Sequence, residues 1–332
     1  MQSKLLKRQL SLPGFTSNHQ YLLKDSTVAI IGCGGLGCNA AMYLSGAGVG
    51  NIIFIDGDKI DSTNLHRQLA YSTFNIGLNK AECLANRCLE SNPNLDYKIY
   101  DMFIDDNNIF LIDSADIVLD CTDNSKTRIL LNNYCLTNKK PLIFGSSLSY
   151  DGQLCVFDFR KSNKCLFCVF PDIEKVKDTC YKNGVLGPVP GIIGSLQAIE
   201  CIKLITGIGE VIKGLLHYSS LDSSFIEYTI EEKVCNYDIE NTVEIDYDKY
   251  INNKTNYNLI DIRPIFSSWE DEESILGSIK LPTPTVEDII KLNKNNIVII
   301  CSIGQHSLDL VKQLRDKGFN DCWSVRNGFR GI

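Results

Sequence analysis

The sequence predicts an α/β protein in two parts, a large one built on a mostly parallel sheet and a small α/β one that follows it. Short apolar runs alternate with helical patterns through the first part, which is how βαβ units read. At 332 residues and 44% apolar content the chain exceeds one average domain and has material for two cores. A polar, acidic, asparagine-rich stretch then precedes two further buried runs. We expect domains at 1–238 and 255–332, joined by a linker at 239–254.

The strand candidates of the first part are VAII (28–31), NIIFID (51–56), DIVLDC (116–121) and PLIFGS (141–146). A helix over 36–46 joins the first two. A second helix, 80–89, follows the polar, irregular segment TNLHRQLAYSTFNIGLNK. Loops of that length inside a compact domain usually carry function. LCVFDF comes next, then the pair Cys165 and Cys168, a loop to Pro190 and the apolar helix GIIGSLQAIECIKLITG. In the second part NLIDIR and NNIVIIC read as strands and 307–317 as a helix.

Fourteen cysteines are scattered through these elements instead of stapling a small domain, which favours reduced thiols. A net charge of −7 without a Lys/Arg block argues against a nucleic-acid partner. No run reads as long and apolar enough to span a bilayer, and MQSKLLKRQLSLPGF lacks the apolar core of a signal peptide. A cytoplasmic protein with no membrane partner is expected.

The first strand runs into Gly32-x-Gly34-Gly35-x-Gly37, where missing side chains let backbone N–H groups approach a phosphate at a helix N-terminus. Asp56 ends the second strand, where a Rossmann-like half places a carboxylate on ribose hydroxyls. Both features suit a nicotinamide dinucleotide and ATP equally. Asn64, Arg67 and Gln68 in STNLHRQ, then Lys80, then Asp123 in CTDN discriminate. Hydride transfer has no need of two cations and a free carboxylate near phosphates, whereas attack on an α-phosphate does. Singly, Arg67 and Lys80 would read as surface charges and Asp123 as a helix N-cap.

KRQLSLPGF, GCGGLG, AGVGNIIFID, STNLHRQ, NIGLNKAE, LDCTDN, CLFC and GVLGPVPGIIGSLQAIE follow one another in an order that resembles the ubiquitin-activating-enzyme superfamily. Within it the chain is similar to the MoeB and ThiF adenylyltransferases and their rhodanese-fused relatives. The resemblance implies adenylation, with ATP and Mg²⁺, of the C-terminal glycine of a ubiquitin-like sulfur carrier of the MoaD or ThiS type. Thiamine, molybdopterin and tRNA thiolation chemistry all use such carriers. It implies that Gly32, Gly34, Gly35 and Gly37 line the phosphates, Asp56 the ribose, and Asn64, Arg67, Gln68 and Lys80 the triphosphate, while Asp123 holds Mg²⁺. It also implies a homodimer in which Arg8 reaches the partner's nucleotide.

Cys165-x-x-Cys168 has the spacing of half a zinc site. The family completes it with a second cysteine pair; here Cys235 matches and Asp238 stands where the fourth thiolate belongs. A Cys₃Asp zinc site and a metal-free turn both stay open. By resemblance Cys180, in DTCYKNGVLGP, links covalently to the carrier or a sulfur donor. Near the end, NIVIIC-SIGQHS-LDLVKQL is a strand, loop and helix whose N–H groups converge on Cys301. Position 307 is serine, so this is not a Cys-x₅-Arg phosphatase. It resembles a rhodanese loop, with Ser302 and His306 where many rhodaneses carry arginine, and implies sulfur passing from a persulfide donor through Cys301 to form a thiocarboxylate. Three alternatives remain: ubiquitin-like conjugation through a Cys180 thioester, a nicotinamide-dependent oxidoreductase, and a non-catalytic nucleotide-binding relative.

Overall fold

The computed structural model describes residues 5–173, 184–231, 244–245, 247–252, 254–263, 277–302, 304–325 and 328–329. The chain divides into two compact units, Met1–Cys235 and Asn236–Ile332.

The first unit carries an eight-stranded sheet in the order β3-β2-β1-β4-β5-β6-β7-β8. Strands β1 (Thr27–Ile31), β2 (Asn51–Ile55), β3 (Asp96–Tyr100), β4 (Ile117–Asp120) and β5 (Leu142–Leu148) are parallel. Apolar side chains fill both faces of β1, β2 and β4, as expected of strands covered on two sides. Val28 and Ile30 join one core and Ala29 and Ile31 the other. Strands β6 (Asp151–Phe157), β7 (Leu215–Ser219) and β8 (Ser224–Tyr228) extend the sheet antiparallel. The chain turns back into β6 through Ser149, whose φ of 55° lies in the left-handed region. Strand order reverses between β1 and β4, so the crevice at their C-terminal ends is where ligands bind in such sheets.

Helix α1 (Ser17–Asp25) leads into β1, α2 (Gly35–Ala47) follows it, α3 (Lys80–Ser91) follows the long loop, and α4 (Ser125–Thr137) follows β4. Helix α5 (Pro188–Thr206) packs on α2. Its length and hydropathy would let it cross a membrane, contrary to the sequence reading. Half of it is buried inside the unit, where Gln197 bonds the carbonyls of Asp120 and Ile143. The apolar run serves a protein core.

The second unit is a parallel five-stranded sheet, β11-β10-β12-β13-β9. Its strands are β9 (Glu244–Ile245), β10 (Asn258–Asp261), β11 (Ile279–Lys280), β12 (Ile297–Ile300) and β13 (Cys322–Val325). Helices α6 (Tyr247–Asn252), α7 (Val286–Lys291) and α8 (Gln305–Asp316) accompany them. In β12, Ile297 and Ile299 face one core and Val298 and Ile300 the other. Residues 244–252, read as linker, instead supply β9 and α6, with Ile245 and Tyr250 buried in the second core. The polar composition of the stretch hid two apolar anchors.

The α2–α5 contact depends on a bare backbone. A Cβ on Gly194 would stand 2.2 Å from the Leu36 carbonyl oxygen, whereas one on Gly191 would come no closer than 3.6 Å to Asn39. Gly194→Ala is expected to destabilise the fold by about 2–3 kcal/mol in urea unfolding, as overpacking does. Gly191→Ala, in the same helix, is expected to be neutral or to stabilise by about 0.5 kcal/mol.

Candidate active site

The glycine turn is shaped by contacts that exclude side chains. Gly32 has φ +91°, and a Cβ there would lie 2.7 Å from the Cys121 carbonyl oxygen; one on Gly37 would lie 2.0 Å from the Gly32 carbonyl oxygen. The turn therefore runs against the end of β4 and delivers the chain into the N-terminus of α2 at Gly34 and Gly35. Backbone N–H groups at such an N-terminus attract phosphate.

Asp56 stands beside the turn. Its Oδ2 accepts the Cys33 N–H at 2.7 Å and its Oδ1 the Asp58 N–H at 2.8 Å. Burial pushes its carboxyl up from the ordinary value, against the pull of Lys80 and these two donors. Lys80 is buried to its tip and donates to Asp58 Oδ2 at 2.7 Å, and Asp58 is itself half exposed. Tyr71 ties the group together, its hydroxyl lying 2.7 Å from the Cys33 carbonyl and 3.0 Å from that of Lys80.

The segment 62–68 closes over the turn. The Arg67 guanidinium donates to Asn64 Oδ1 at 2.8 Å and to the Thr63 carbonyl at 3.1 Å. The Gln68 amide nitrogen lies 3.6 Å from where a Gly34 Cβ would be, and the Arg67 carbonyl 3.4 Å from a Gly35 Cβ. Gln68 Oε1 is buried with no hydrogen-bond partner among the described residues, a polar atom that a ligand donor at the turn would satisfy. Asp123 follows β4 and is exposed. Asn124, and not Asp123, caps α4, accepting the Thr127 N–H at 2.8 Å, so the capping alternative for Asp123 falls.

Gly32, Gly34, Gly35, Gly37, Asp56, Gln68, Lys80 and the Arg67 backbone thus adjoin one turn, with the end of β4 that leads to Asp123 against it, while the Arg67 guanidinium and Asn64 bond each other in the loop beside it. Arg8 does not adjoin the turn. Gln9 donates to the Ala47 carbonyl at 2.9 Å, which puts Arg8 beside the C-terminal end of α2. That helix has 13 residues, so the phosphate end is about 20 Å away. Sequence reasoning missed Asp58, Tyr71 and Gln197; only their closeness to motif residues in the chain could have flagged the first two. The neighbouring thiols are no nucleophiles, since burial pushes Cys38 up to about 12 and raises Cys33 and Cys121 well above the ordinary value.

Cys165 caps the short helix Leu166–Val169 and Cys168 lies within it, their sulfurs 4.0 Å apart. Asn132 Oδ1 pins the turn by accepting the Leu166 N–H at 2.8 Å. Tetrahedral zinc with bonds of about 2.3 Å spaces its sulfurs about 3.8 Å apart, so the pair fits half a site. Cys235 and Asp238, and likewise Cys180, lie outside the described residues. Among the described residues no group of three or more ligands is placed to hold a metal.

In the second unit Cys301 follows β12 and is buried. Its sulfur accepts the Gly304 N–H at 3.1 Å, the Ser307 N–H at 3.4 Å and faces the Ser307 hydroxyl at 3.2 Å. Gly304, at φ +86°, turns the chain into α8. Ser307 is 2.8 Å from the Ser324 hydroxyl, and the Phe329 N–H donates to the Cys301 carbonyl at 2.8 Å. The Arg263 guanidinium lies 3.8 Å from the centre of the Phe329 ring and is held by Asp261 at 2.8 Å. Among the described residues, the groups that meet the sulfur are the Gly304 and Ser307 amides and the Ser307 hydroxyl.

These arrangements are those of a Rossmann-like α/β domain with a glycine turn at a helix N-terminus, in a chain that also carries a thiol-loop domain. The chain belongs to the ThiF family, whose pattern matches residues 6–239, and residues 246–332 match the rhodanese-like domain. It is 41% identical over 233 residues to the adenylyltransferase and sulfurtransferase MOCS3 of Drosophila grimshawi, covering 69% of this chain and 52% of that protein. The Drosophila willistoni protein of the same name is 42% identical over 234 residues, covering 69% and 51%. The chain spans about half the length of these curated relatives. Among solved structures, E. coli MccB with ATP superposes with TM-score 0.59 at 25% identity, over 65% of this chain and 67% of that one. PaaA gives 0.60 at 20% identity, over 69% and 83%.

Tyr71→Phe leaves the Cys33 and Lys80 carbonyls without their shared donor. It is expected to cost about 1–2 kcal/mol in denaturant unfolding. An unchanged midpoint would mean that the hydroxyl is not the tie between the turn and α3.

Proposed function

We propose that the chain uses ATP to adenylate the C-terminal glycine of a ubiquitin-like sulfur-carrier protein, and that Cys301 then passes persulfide sulfur to the activated carboxyl. The observation that supports the first half is the glycine turn itself, with Asp56 bonded to it, Lys80 beside Asp58, the Arg67 backbone against Gly35 and the β4 end that leads to the exposed Asp123 against Gly32. A carboxylate oxygen of the carrier attacks the α-phosphorus, the bond to pyrophosphate breaks, and an acyl-adenylate forms. Charge grows on the phosphoryl oxygens and the departing pyrophosphate, where the turn's N–H groups, Arg67 and Lys80 offset it. Lys80 exchanges Asp58 for a phosphate oxygen. Each Asp56 oxygen already accepts one N–H and has capacity to accept a ribose hydroxyl as well. Asp123 would hold Mg²⁺, which supplies further neutralisation of phosphate charge when bound. One protein carboxylate suits an ion that takes its other ligands from phosphates and water.

For the second half, the terminal sulfur of a Cys301 persulfide attacks the acyl carbon and AMP leaves. The resulting acyl disulfide is opened by a second thiol at the Cys301 sulfur. This releases the thiocarboxylate and leaves a protein disulfide for an external thiol to reduce. Cys180 is proposed to assist the transfer. A loop with Ser302 and His306 in place of arginines suits a protein persulfide donor better than a dianion. Arg8, remote from its own chain's turn, would serve a second copy in a homodimer. Cys165 and Cys168, with Cys235 and Asp238, would form a structural zinc site. The reading places the protein in the cytoplasm.

Asp123→Ala is expected to lower carrier-dependent ATP–pyrophosphate exchange by about 10²-fold or more. Cys301→Ala should keep that exchange and lose thiocarboxylate, read by mass spectrometry of the carrier. Full thiocarboxylate yield from Cys301→Ala would remove the relay, and exchange unaffected by Asp123→Ala would remove the adenylation assignment.

A further inference from the structure

We propose that Asp120, Thr122 and Arg128 form a positioning unit that sets the Asp123 carboxylate for its cation; the inference rests on the adenylation reading above. Asp123 lies between two anchored stretches of backbone. On one side, the Cys121 N–H donates to the Ile31 carbonyl at 2.9 Å, and the Cys121 carbonyl packs into the space left by the missing Gly32 side chain. On the other, Asn124 is fixed as the cap of α4.

Thr122, immediately before Asp123, is held at each of its polar groups. Its N–H and its hydroxyl both donate to Asp120 Oδ1, at 3.0 and 2.7 Å, and its carbonyl accepts from Arg128 Nη2 at 2.7 Å. Arg128 is in turn held by the Phe144 ring, 4.9 Å from its guanidinium carbon to the ring centre, and by the Gly145 carbonyl at 3.5 Å. The peptide leading into Asp123 therefore has little freedom to rotate.

The pair itself argues for positioning over stability. Asp120 is fully buried, yet Arg128 Nε stays 4.0 Å from Asp120 Oδ2, and both atoms lack a hydrogen-bond partner among the described residues. A buried ion pair that contributed mainly stability would close that gap, because an uncompensated buried charge is costly. Here both side chains direct their closest hydrogen bonds to Thr122. Outer groups that orient a metal-binding carboxylate commonly change metal affinity 10–100-fold when removed.

The test measures ATP binding by calorimetry on the full chain, in EDTA and across a Mg²⁺ titration, for Thr122→Val, Thr122→Ser, Arg128→Lys and Asp123→Ala. Thr122→Val and Arg128→Lys are expected to bind ATP in EDTA as the parent does, while needing about tenfold more Mg²⁺ for half of the magnesium-dependent gain. Thr122→Ser should restore the parent value, which a purely structural role for the methyl group would not do. A folded Thr122→Val protein with the parent Mg²⁺ dependence, alongside an Asp123→Ala protein that has lost it, overturns the positioning unit alone. Parent behaviour in Asp123→Ala as well overturns the cation assignment beneath it. If Arg128→Lys fails to fold, Thr122→Val decides.

Discussion

Backbone pressed on backbone at the glycine turn is the constraint from which the first site follows. With Gly32 against Cys121 and Gly37 against Gly32, no side chain fits between the first strand, its helix and the end of β4. This closeness lets one carboxylate, Asp56, bond the Cys33 amide within the turn while standing at the end of β2. It also brings the Asp123 loop to the rim of the same crevice. A larger residue would separate three sources of chemistry at once: the N–H groups, the cations from the long loop, and the carboxylate after β4.

The two units meet a similar electrostatic demand with different means. In each, a parallel strand ends in a turn that enters a helix, and N–H groups collect on an atom able to carry negative charge. The first unit adds side-chain cations: Arg67 oriented by Asn64, and Lys80 held in reserve by Asp58. Two full charges suit a polyphosphate. Among the described residues, the second adds the Ser307 hydroxyl to the Gly304 and Ser307 amides. Such dipoles favour a thiolate-like sulfur at Cys301. Elsewhere burial raises the thiols of Cys33, Cys38, Cys121, Cys135, Cys155 and Cys201, which keeps them protonated and inert.

Much of the first site was legible because its signals are local. Glycines at a strand end, a carboxylate closing the next strand and a long polar loop each follow from steric or hydrogen-bonding demands on a few adjacent residues. Three features were not legible for the opposite reason. The segment 244–252 looked like linker because two buried residues, Ile245 and Tyr250, stand among polar ones. The α5 run reads the same in a core as in a bilayer, and its partner α2 lies far away in sequence. Asp123 read alone could as well have been a cap; the hydrogen bond of Asn124 to Thr127 decided otherwise.

The sequence by itself determined the kind of the motif-bearing elements (β1, β2, β4, β5, β10, β12, α2, α3, α5 and α8), the order of the two units and the residue types that could meet phosphate or carry sulfur. Those properties depend on periodicity and on which residues tolerate a turn. Only the tertiary structure decided who meets whom: that Lys80 waits on Asp58, that Thr122 is gripped by Asp120 and Arg128, and that Arg8 sits at the far end of α2 from its own phosphate turn. Such contacts depend on how strands align and helices pack across many residues of intervening chain. No local pattern encodes that closure.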